Sequence, residues 1–264
     1  MLGTNPFSIL AETVSPFAMQ SFIIAMIVLI ALGTIIQMIH HKNITYFFNN
    51  AKKAKLQATR EIGAGEKASI IAKTTIVDIG TTAELGFGKR RLSHVLGMYG
   101  TIIFWVSSAM LVFCYTGADK ASSVTWSTLW HVGAILTCVG GYWFWLFLRV
   151  DVSAEAHPWY RIIKADLFVL ALLACSTFGL AWSYTQFNGQ TGLSFLFLAL
   201  FVLSNLVLFG GVYWSKFAHM FYKPGAAIQK NLAEADGSRD NLPPPADAPE
   251  QFGLGIKREQ PKHY

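Results

Sequence analysis

Five long apolar segments constrain this chain more than any other feature of its sequence. Each is close to the roughly 20 apolar residues that an α-helix needs to cross the ~30 Å hydrocarbon core of a bilayer. The segments are Phe17–Ile39, Leu92–Tyr115, Trp126–Leu148, Ile163–Tyr184 and Leu193–Trp214. Because backbone polar groups cannot be left unpaired in lipid, these segments predict an all-α integral membrane bundle of five helices.

The composition agrees with a membrane protein and argues against several soluble classes. Hydrophobic residues make up 53% of the 264 residues and charged residues 14%, which is too apolar for an ordinary soluble domain. The formal net charge is +6, but the basic residues flank the apolar segments, so we do not expect nucleic-acid binding. Cys114, Cys138 and Cys175 lie far apart, which predicts neither a disulfide framework nor a CxxC metal or iron-sulfur site.

The positions of the basic residues predict the orientation of the helices. Of the 21 Lys and Arg residues, ten lie between His40 and Arg91, three between Arg149 and Lys164, seven from Lys216 onward, and one elsewhere. Positive residues near a span resist translocation, so we expect the N-terminus outside and the C-terminal tail inside a bacterial-type cytoplasmic (inner) membrane. The first 20 residues contain no Lys or Arg, so the first segment is predicted to be a helix and not a cleavable signal peptide.

The order of the segments divides the chain into four regions. Residues 1–39 hold an N-terminal segment and the first span, 40–91 a cytoplasmic segment, 92–215 the other four spans, and 216–264 a cytoplasmic Pro-rich tail. The cytoplasmic segment includes the mildly apolar stretch ASIIAKTTIVDIG, which predicts an interfacial helix or a short docking subdomain. After Pro224 the chain becomes polar and rich in proline, so the tail is predicted to be loose or ordered on a partner.

Two histidines fall at the predicted cytoplasmic ends of spans. His94 opens the second span in RRLSHVLGMYG, and His219 follows the fifth in YWSKFAHMFYKP. An embedded imidazole usually pairs, lines water or binds a ligand, and two imidazoles from different helices suit the iron of one b-type haem. Gly97 and Gly100 would leave room for a flat macrocycle or let helices pack closely. Alternatively, each histidine is interfacial and only caps or hydrates its helix end.

His131 is predicted to lie deeper, one to two turns inside the outer end of the third span. About 17 residues separate it from the cytoplasmic end, or roughly 25 Å at the helical rise, so it cannot share an iron with His94 or His219. Two interpretations stay open: a hydrogen-bond or proton partner for a quinone head group, or a structural histidine bonded to a neighbouring helix. The other histidines, expected in structural or solvated positions, are His40, His41, His157 and His263.

The segments RRLSHVLGMYG and YWSKFAHMFYKP resemble those of five-helix haem-b membrane subunits that exchange electrons with quinones. That group includes the nitrate reductase gamma chain and the membrane subunits of heterodisulfide-reductase-like complexes. The long segment after the first span, the lack of an iron-sulfur domain and the Pro-rich tail are most similar to AprM-type membrane anchors of dissimilatory adenylylsulfate reductase. The resemblance implies haem b and quinone or quinol as cofactors, and cytoplasmic flavin and iron-sulfur oxidoreductase subunits of sulfur metabolism as partners.

The resemblance carries over only His94 and His219 as haem ligands. Two-haem members have a second histidine pair deeper in the same helices, where this sequence has residues such as Phe104, Ser108 and Asn205, so we expect at most one haem. The implied function is a membrane anchor and electron-transfer subunit, either non-catalytic or quinone-reactive. The alternative is a haem-free membrane scaffold for a cytoplasmic redox enzyme. A transporter is disfavoured because the span centres lack charged residues and no broken helices stand out.

Overall fold

The computed structural model describes residues 1–40, 42–85, 88–116, 124–149, 160–215 and 217–239, and within them the chain is helical and contains no strand. Its α-helices there are α1 Pro6–Leu10, α2 Pro16–His40, α3 Asn43–Leu56, α4 Ala64–Lys73, α5 Lys89–Cys114, α6 Val124–Trp143, α7 Leu167–Phe187, α8 Thr191–Gly210 and α9 His219–Ala235. π-Helical turns follow α4 at Thr74–Gly80 and α6 at Phe144–Leu148. Short 3-10 turns occur at Ala83–Leu85, Lys164–Asp166 and Gly211–Tyr213.

The structure contains the five predicted helices that are long and apolar enough to cross a membrane. They are Pro16–His40, Lys89–Cys114, Val124–Leu148, Lys164–Phe187 and Thr191–Tyr213. The second begins at Lys89, three residues before its predicted start, because a run of cationic side chains can continue a helix beyond the hydrocarbon and keep its charges in the headgroup region. The all-helical, multi-span part of the fold prediction is therefore confirmed for the described residues.

The chain separates into two compact units. The membrane unit consists of Met1–Gln37 and Leu92–Ala218, and the second unit consists of Met38–Arg91 and the chain from His219 onward. The chain passes between the two units from Gln37 to Met38, from Arg91 to Leu92 and from Ala218 to His219. The second unit is thereby tethered to the spans at three points of the sequence.

The membrane unit is packed around bulky aromatic side chains. Phe104, Trp130 and Trp182 are almost fully buried. Trp182 stacks on Phe201 with the ring planes 17° apart and the centroids separated by 5.8 Å. Phe7 of α1 packs edge-on against Trp130 and Trp182, with centroid separations of 5.9 and 5.4 Å. Since apolar surface gains little by leaving lipid, close van der Waals packing of this kind stabilises the bundle.

The short helix α1 is held against the bundle by its N-cap residue, Asn5. The Asn5 side chain accepts a hydrogen bond from the Phe7 N–H at 3.0 Å and donates one to the Tyr115 carbonyl at 2.9 Å. Asn5 is fully buried, so the two bonds satisfy a side chain that would otherwise be costly to desolvate. This cap places Phe7 in the aromatic core.

The second unit is packed around small side chains. Its buried residues in the described part of the chain are Ala54, Thr74, Thr82, Ala233 and Ser238. Hydrogen bonds join its segments: the Asn231 side-chain amide donates to Thr74 Oγ1 and Asp78 Oδ2, each at 2.7 Å. Hydrogen bonding between segments thus contributes where bulky packing is missing.

Backbone hydrogen bonds join the end of α9 to the segment after α3. The Asp236 carbonyl accepts hydrogen bonds from the Thr59 N–H at 2.9 Å and the Arg60 N–H at 3.3 Å. The Arg60 guanidinium also binds the Glu66 carboxylate, with one bond of 3.0 Å. The hydrogen bond and the positive charge of Arg60 lower the pKa of Glu66. The same hydrogen bond and the negative charge of Glu66 raise the pKa of Arg60.

Part of the predicted tail is ordered as α9. The helix runs through Pro224 and continues to Ala235, where the sequence had indicated a loose or partner-ordered segment. Pro224 lies near the beginning of α9, so its missing N–H removes a bond close to the helix end, and the following AAIQKNLAEA is rich in good helix formers. The Pro-rich part of the tail, residues 240–264, lies outside the described residues.

Candidate functional site

Glycines bring α5 and α6 into backbone contact beside the predicted haem ligand. A Cβ added to Gly100 would lie 2.5 Å from the Thr137 nitrogen, and one added to Gly140 would lie 2.5 Å from the Gly97 nitrogen. The Ser93 hydroxyl donates to the Gly140 carbonyl at 2.8 Å. The small residues of this pair of helices therefore permit close packing, and the space that Gly100 leaves is filled by α6.

His94 lies on α5, one residue after buried Ser93, and its side chain is exposed. Gly97 follows one helical turn later, and a Cβ added to Gly97 would meet nothing within 4 Å. The surface beside His94 is therefore open on the side of the Gly97 Cβ position. A flat macrocycle ligated by His94 is compatible with this open surface, so the residues on α5 fit a haem ligand at this position.

His219 is the first residue of α9 and is half-buried. It belongs to the second unit, whereas His94 belongs to the membrane unit. The pairing of the two imidazoles on one iron therefore stays a prediction. A Cβ added to Gly210, at the end of α8, would also meet nothing within 4 Å.

Arg91, in the basic run before His94, binds the preceding segment of the chain. The Arg91 guanidinium donates to the Thr81 carbonyl at 2.8 Å and to the Thr81 hydroxyl at 2.7 Å. Both residues belong to the second unit. Arg91 thus fixes the segment before α5.

His131 is fully buried on α6, and both of its ring nitrogens have partners. Nδ1 lies 2.7 Å from the Ser127 carbonyl, and Nε2 lies 2.8 Å from the Ser183 hydroxyl on α7. A carbonyl can only accept, so Nδ1 carries the hydrogen and Nε2 of the neutral ring accepts from Ser183. The ring also packs edge-on against Trp130, with the ring centroids 4.9 Å apart. These contacts are those of the structural interpretation, a histidine bonded to a neighbouring helix.

The same geometry limits what a quinone could do at His131. In this tautomer Nε2 is an acceptor, so it could take a quinol hydroxyl in place of Ser183 but could not donate to a quinone carbonyl. The Ser127 hydroxyl is buried and has no hydrogen-bond partner among the described residues, so it is a polar group that a water or a ligand oxygen would satisfy. The quinone role of His131 stays a prediction.

The remaining histidines do not add to a common centre in the described part of the chain. His40 is the last residue of α2 and is exposed, while His41, His157 and His263 lie outside the described residues. Among the residues that the structure describes, no three His, Cys, Asp or Glu side chains form a group that could hold a metal ion. A bis-histidine haem needs only two protein ligands, so this finding concerns other kinds of metal centre.

The sequence interpretation missed an ion pair at the base of the fourth span. Arg149, at the end of the third span, forms a salt bridge with Asp166, at the beginning of the fourth. Its guanidinium also lies 4.1 Å from the centre of the Trp145 ring, within cation–π distance. The charged start of the fourth segment was visible in the sequence, but its partner was not identifiable without the fold.

A scan against protein-family models, a search of curated proteins and a search of solved structures each find no match to this chain. The fold and composition define it as a multi-pass helical membrane protein with an attached helical unit.

Proposed function

We propose that the chain is a membrane anchor and electron-transfer subunit that links the quinone pool to a cytoplasmic flavin and iron-sulfur enzyme. The observation that carries the proposal is His94, an exposed imidazole on a spanning helix beside the open surface at Gly97. An imidazole near the end of a span usually pairs, lines water or binds a ligand. His94 and His219 would hold one haem b, whose iron accepts and releases one electron.

The proposed partner is adenylylsulfate reductase of sulfur metabolism. This choice rests on the resemblance to AprM-type anchors in the long segment after the first span, the lack of an iron-sulfur domain and the Pro-rich tail. The second unit supports a charged partner: residues 38–91 and 219–239 contain thirteen Lys and Arg against six Asp and Glu. A basic surface attracts an acidic soluble protein and speeds their encounter.

A reduced-minus-oxidised absorption spectrum of the purified full-length protein tests the haem assignment. We expect one haem per chain in the wild type and the loss of most haem absorbance in His94→Ala and in His219→Ala, because the iron needs both axial ligands. His40→Ala is the matched control, since His40 is an exposed histidine at the end of a different span. It should keep the wild-type spectrum.

Two results would contradict the haem assignment. One is a folded wild-type preparation, monodisperse and helical by circular dichroism, that shows no haem absorbance. The other is a spectrum that survives both His94→Ala and His219→Ala. Loss of haem from His40→Ala as well would show that the substitutions disturb the fold and not a ligand.

A haem-free scaffold is the second candidate function, and one observation favours it. The second unit buries small side chains while many of its large apolar residues are exposed, which is typical of a surface that binds another molecule. Quinol-dependent activity of the bound soluble enzyme in a His94→Ala/His219→Ala double variant would support the scaffold. Retained docking with loss of that activity would support the electron-transfer subunit.

A further inference from the structure

Helix α3 contacts α9 but exposes most of its side chains. It contains 14 residues, and among its described side chains only Ala54 is buried. An isolated helix shorter than about 15 residues is marginal in water. The contact with α9 leaves most of the α3 surface open to a further stabilising contact.

The exposed side of α3 combines apolar and cationic side chains. Ile44, Phe48, Lys52 and Leu56 recur at intervals of four residues and so share one face. Leu56 is 88% exposed and Phe48 is 58% exposed. Lys52, Lys53 and Lys55 make the helix cationic, and it contains no Asp or Glu. Apolar side chains beside lysines are the chemistry of a helix that binds a lipid surface.

The chain fixes α3 close to the end of a membrane span. α2 ends at His40 and α3 begins at Asn43, so three Cα steps of 3.8 Å limit their separation to about 11 Å. Lys42 has a positive φ of 54°, a left-handed conformation that does not belong to an α-helix. The first turn of α3 is thereby held near the depth at which α2 leaves the bilayer.

We propose that α3 lies on the membrane surface and binds anionic lipids. Ile44, Phe48 and Leu56 contact the acyl chains at the headgroup boundary, and Lys52 and Lys55 bind the lipid phosphates. A lipid surface fits better than a soluble protein partner because α3 is covalently held beside the end of a span and presents exposed apolar side chains among its lysines. This role is independent of haem and of the proposed electron transfer.

Hydrogen exchange of the full-length protein in lipid nanodiscs tests the proposal. The α3 amides, residues 43–56, are compared in discs of phosphatidylcholine alone and discs containing one quarter phosphatidylglycerol. Because each positive charge near an anionic surface strengthens binding by about fivefold, we expect exchange to slow about tenfold or more in the anionic discs. Added 0.5 M NaCl should remove most of the difference.

Two charge-matched variants separate lipid binding from general attraction. Lys52→Gln/Lys55→Gln should abolish the anionic-lipid effect on α3. Lys67→Gln/Lys73→Gln removes the same charge from α4, where both side chains are exposed, and should preserve the effect. Unchanged exchange in the spanning helices would verify that both variants fold.

Several outcomes would overturn the proposal. Equal exchange of the wild-type α3 amides in neutral and anionic discs is the most direct. Equal loss of the effect in both variant pairs would assign it to overall charge. Slow exchange that appears only after a soluble protein partner is added would assign the face to that partner.

Discussion

The membrane unit and the second unit are stabilised by different side chains. The membrane unit buries Phe104, Trp130 and Trp182, whereas the second unit buries residues no larger than threonine in its described part. The largest exposed apolar residues of the second unit include Tyr46, Phe48, Leu56, Ile76 and Phe221. The difference teaches that the spans are stabilised by the packing of large buried side chains. The second unit relies more on hydrogen bonds and on the molecules that its exposed side chains contact.

Trp182→Ala should have the largest effect on stability and should act on the membrane unit. Trp182 is 1% exposed and contacts Phe7, Trp130 and Phe201, so its loss leaves a large cavity costing about 3–5 kcal/mol. Unfolding in mixed micelles measures this effect. Trp214→Ala is the control, because Trp214 is 56% exposed. A similar loss of stability in Trp182→Ala and Trp214→Ala would contradict a core that is stabilised by buried aromatic packing.

Gly100→Ala should have the next largest effect. The added Cβ would lie 2.5 Å from the Thr137 backbone nitrogen, so α5 and α6 must move apart at a cost of about 1–3 kcal/mol. Gly210→Ala is the matched control. Gly210 lies on a different span, α8, and a Cβ added there would meet nothing within 4 Å. The same unfolding assay applies, and an unchanged midpoint for Gly100→Ala would refute the close helix contact.

Gly237→Ala should loosen the second unit without affecting the spans. Gly237 has a φ of +79°, and an added Cβ would lie 2.1 Å from the Thr59 hydroxyl oxygen. The left-handed backbone alone costs alanine about 1 kcal/mol, so the amides around Thr59 and Asn231 should exchange at least severalfold faster. Gly65→Ala, where the new Cβ has no neighbour within 4 Å, should leave them unchanged. Faster exchange throughout the spans would contradict the separation of the two units.

Glu66→Gln should have the smallest effect, and it should depend on pH. Arg60 lowers the pKa of Glu66 below its ordinary value of 4.5, so the folded state binds the proton less readily than the unfolded state. The stability from this pair is present above that ordinary value and is lost as the pH falls through the lowered pKa. Hydrogen exchange near Arg60 should therefore differ between wild type and variant at pH 7 and converge in acid. Glu61→Gln serves as the control, and a difference that persists in acid would contradict the ion pair.

The spans were predictable from the sequence because their signal is strong and local. A helix is the simplest structure in which about twenty successive apolar residues can pair their backbone polar groups in lipid. The ends of the five spans in the structure differ from the predicted ends by at most three residues. α9 was not predicted because Pro224 and Gly225 mark a break, while the favourable segment after them depends on Asn231 contacts with Thr74 and Asp78. Contacts between residues over 150 positions apart carry no local signal.

The site was predictable only in part. The sequence singled out His131 as a histidine inside the third span with two interpretations, and the structure supplies the Ser127 and Ser183 bonds that periodicity cannot reveal. Gly97 and Gly100 look alike in the sequence, yet a Cβ added to Gly97 would meet open space and one added to Gly100 would meet the backbone of α6. The relation between His94 and His219 depends on two units and stays a prediction.

Quinol-dependent reduction of haem in nanodiscs holding the full-length protein tests the central functional claim most directly. The account predicts that a lipid-soluble quinol produces the reduced haem spectrum in the wild type, with about one haem per chain. No haem in the folded protein, or a haem that a chemical reductant reduces and the quinol does not, would contradict it.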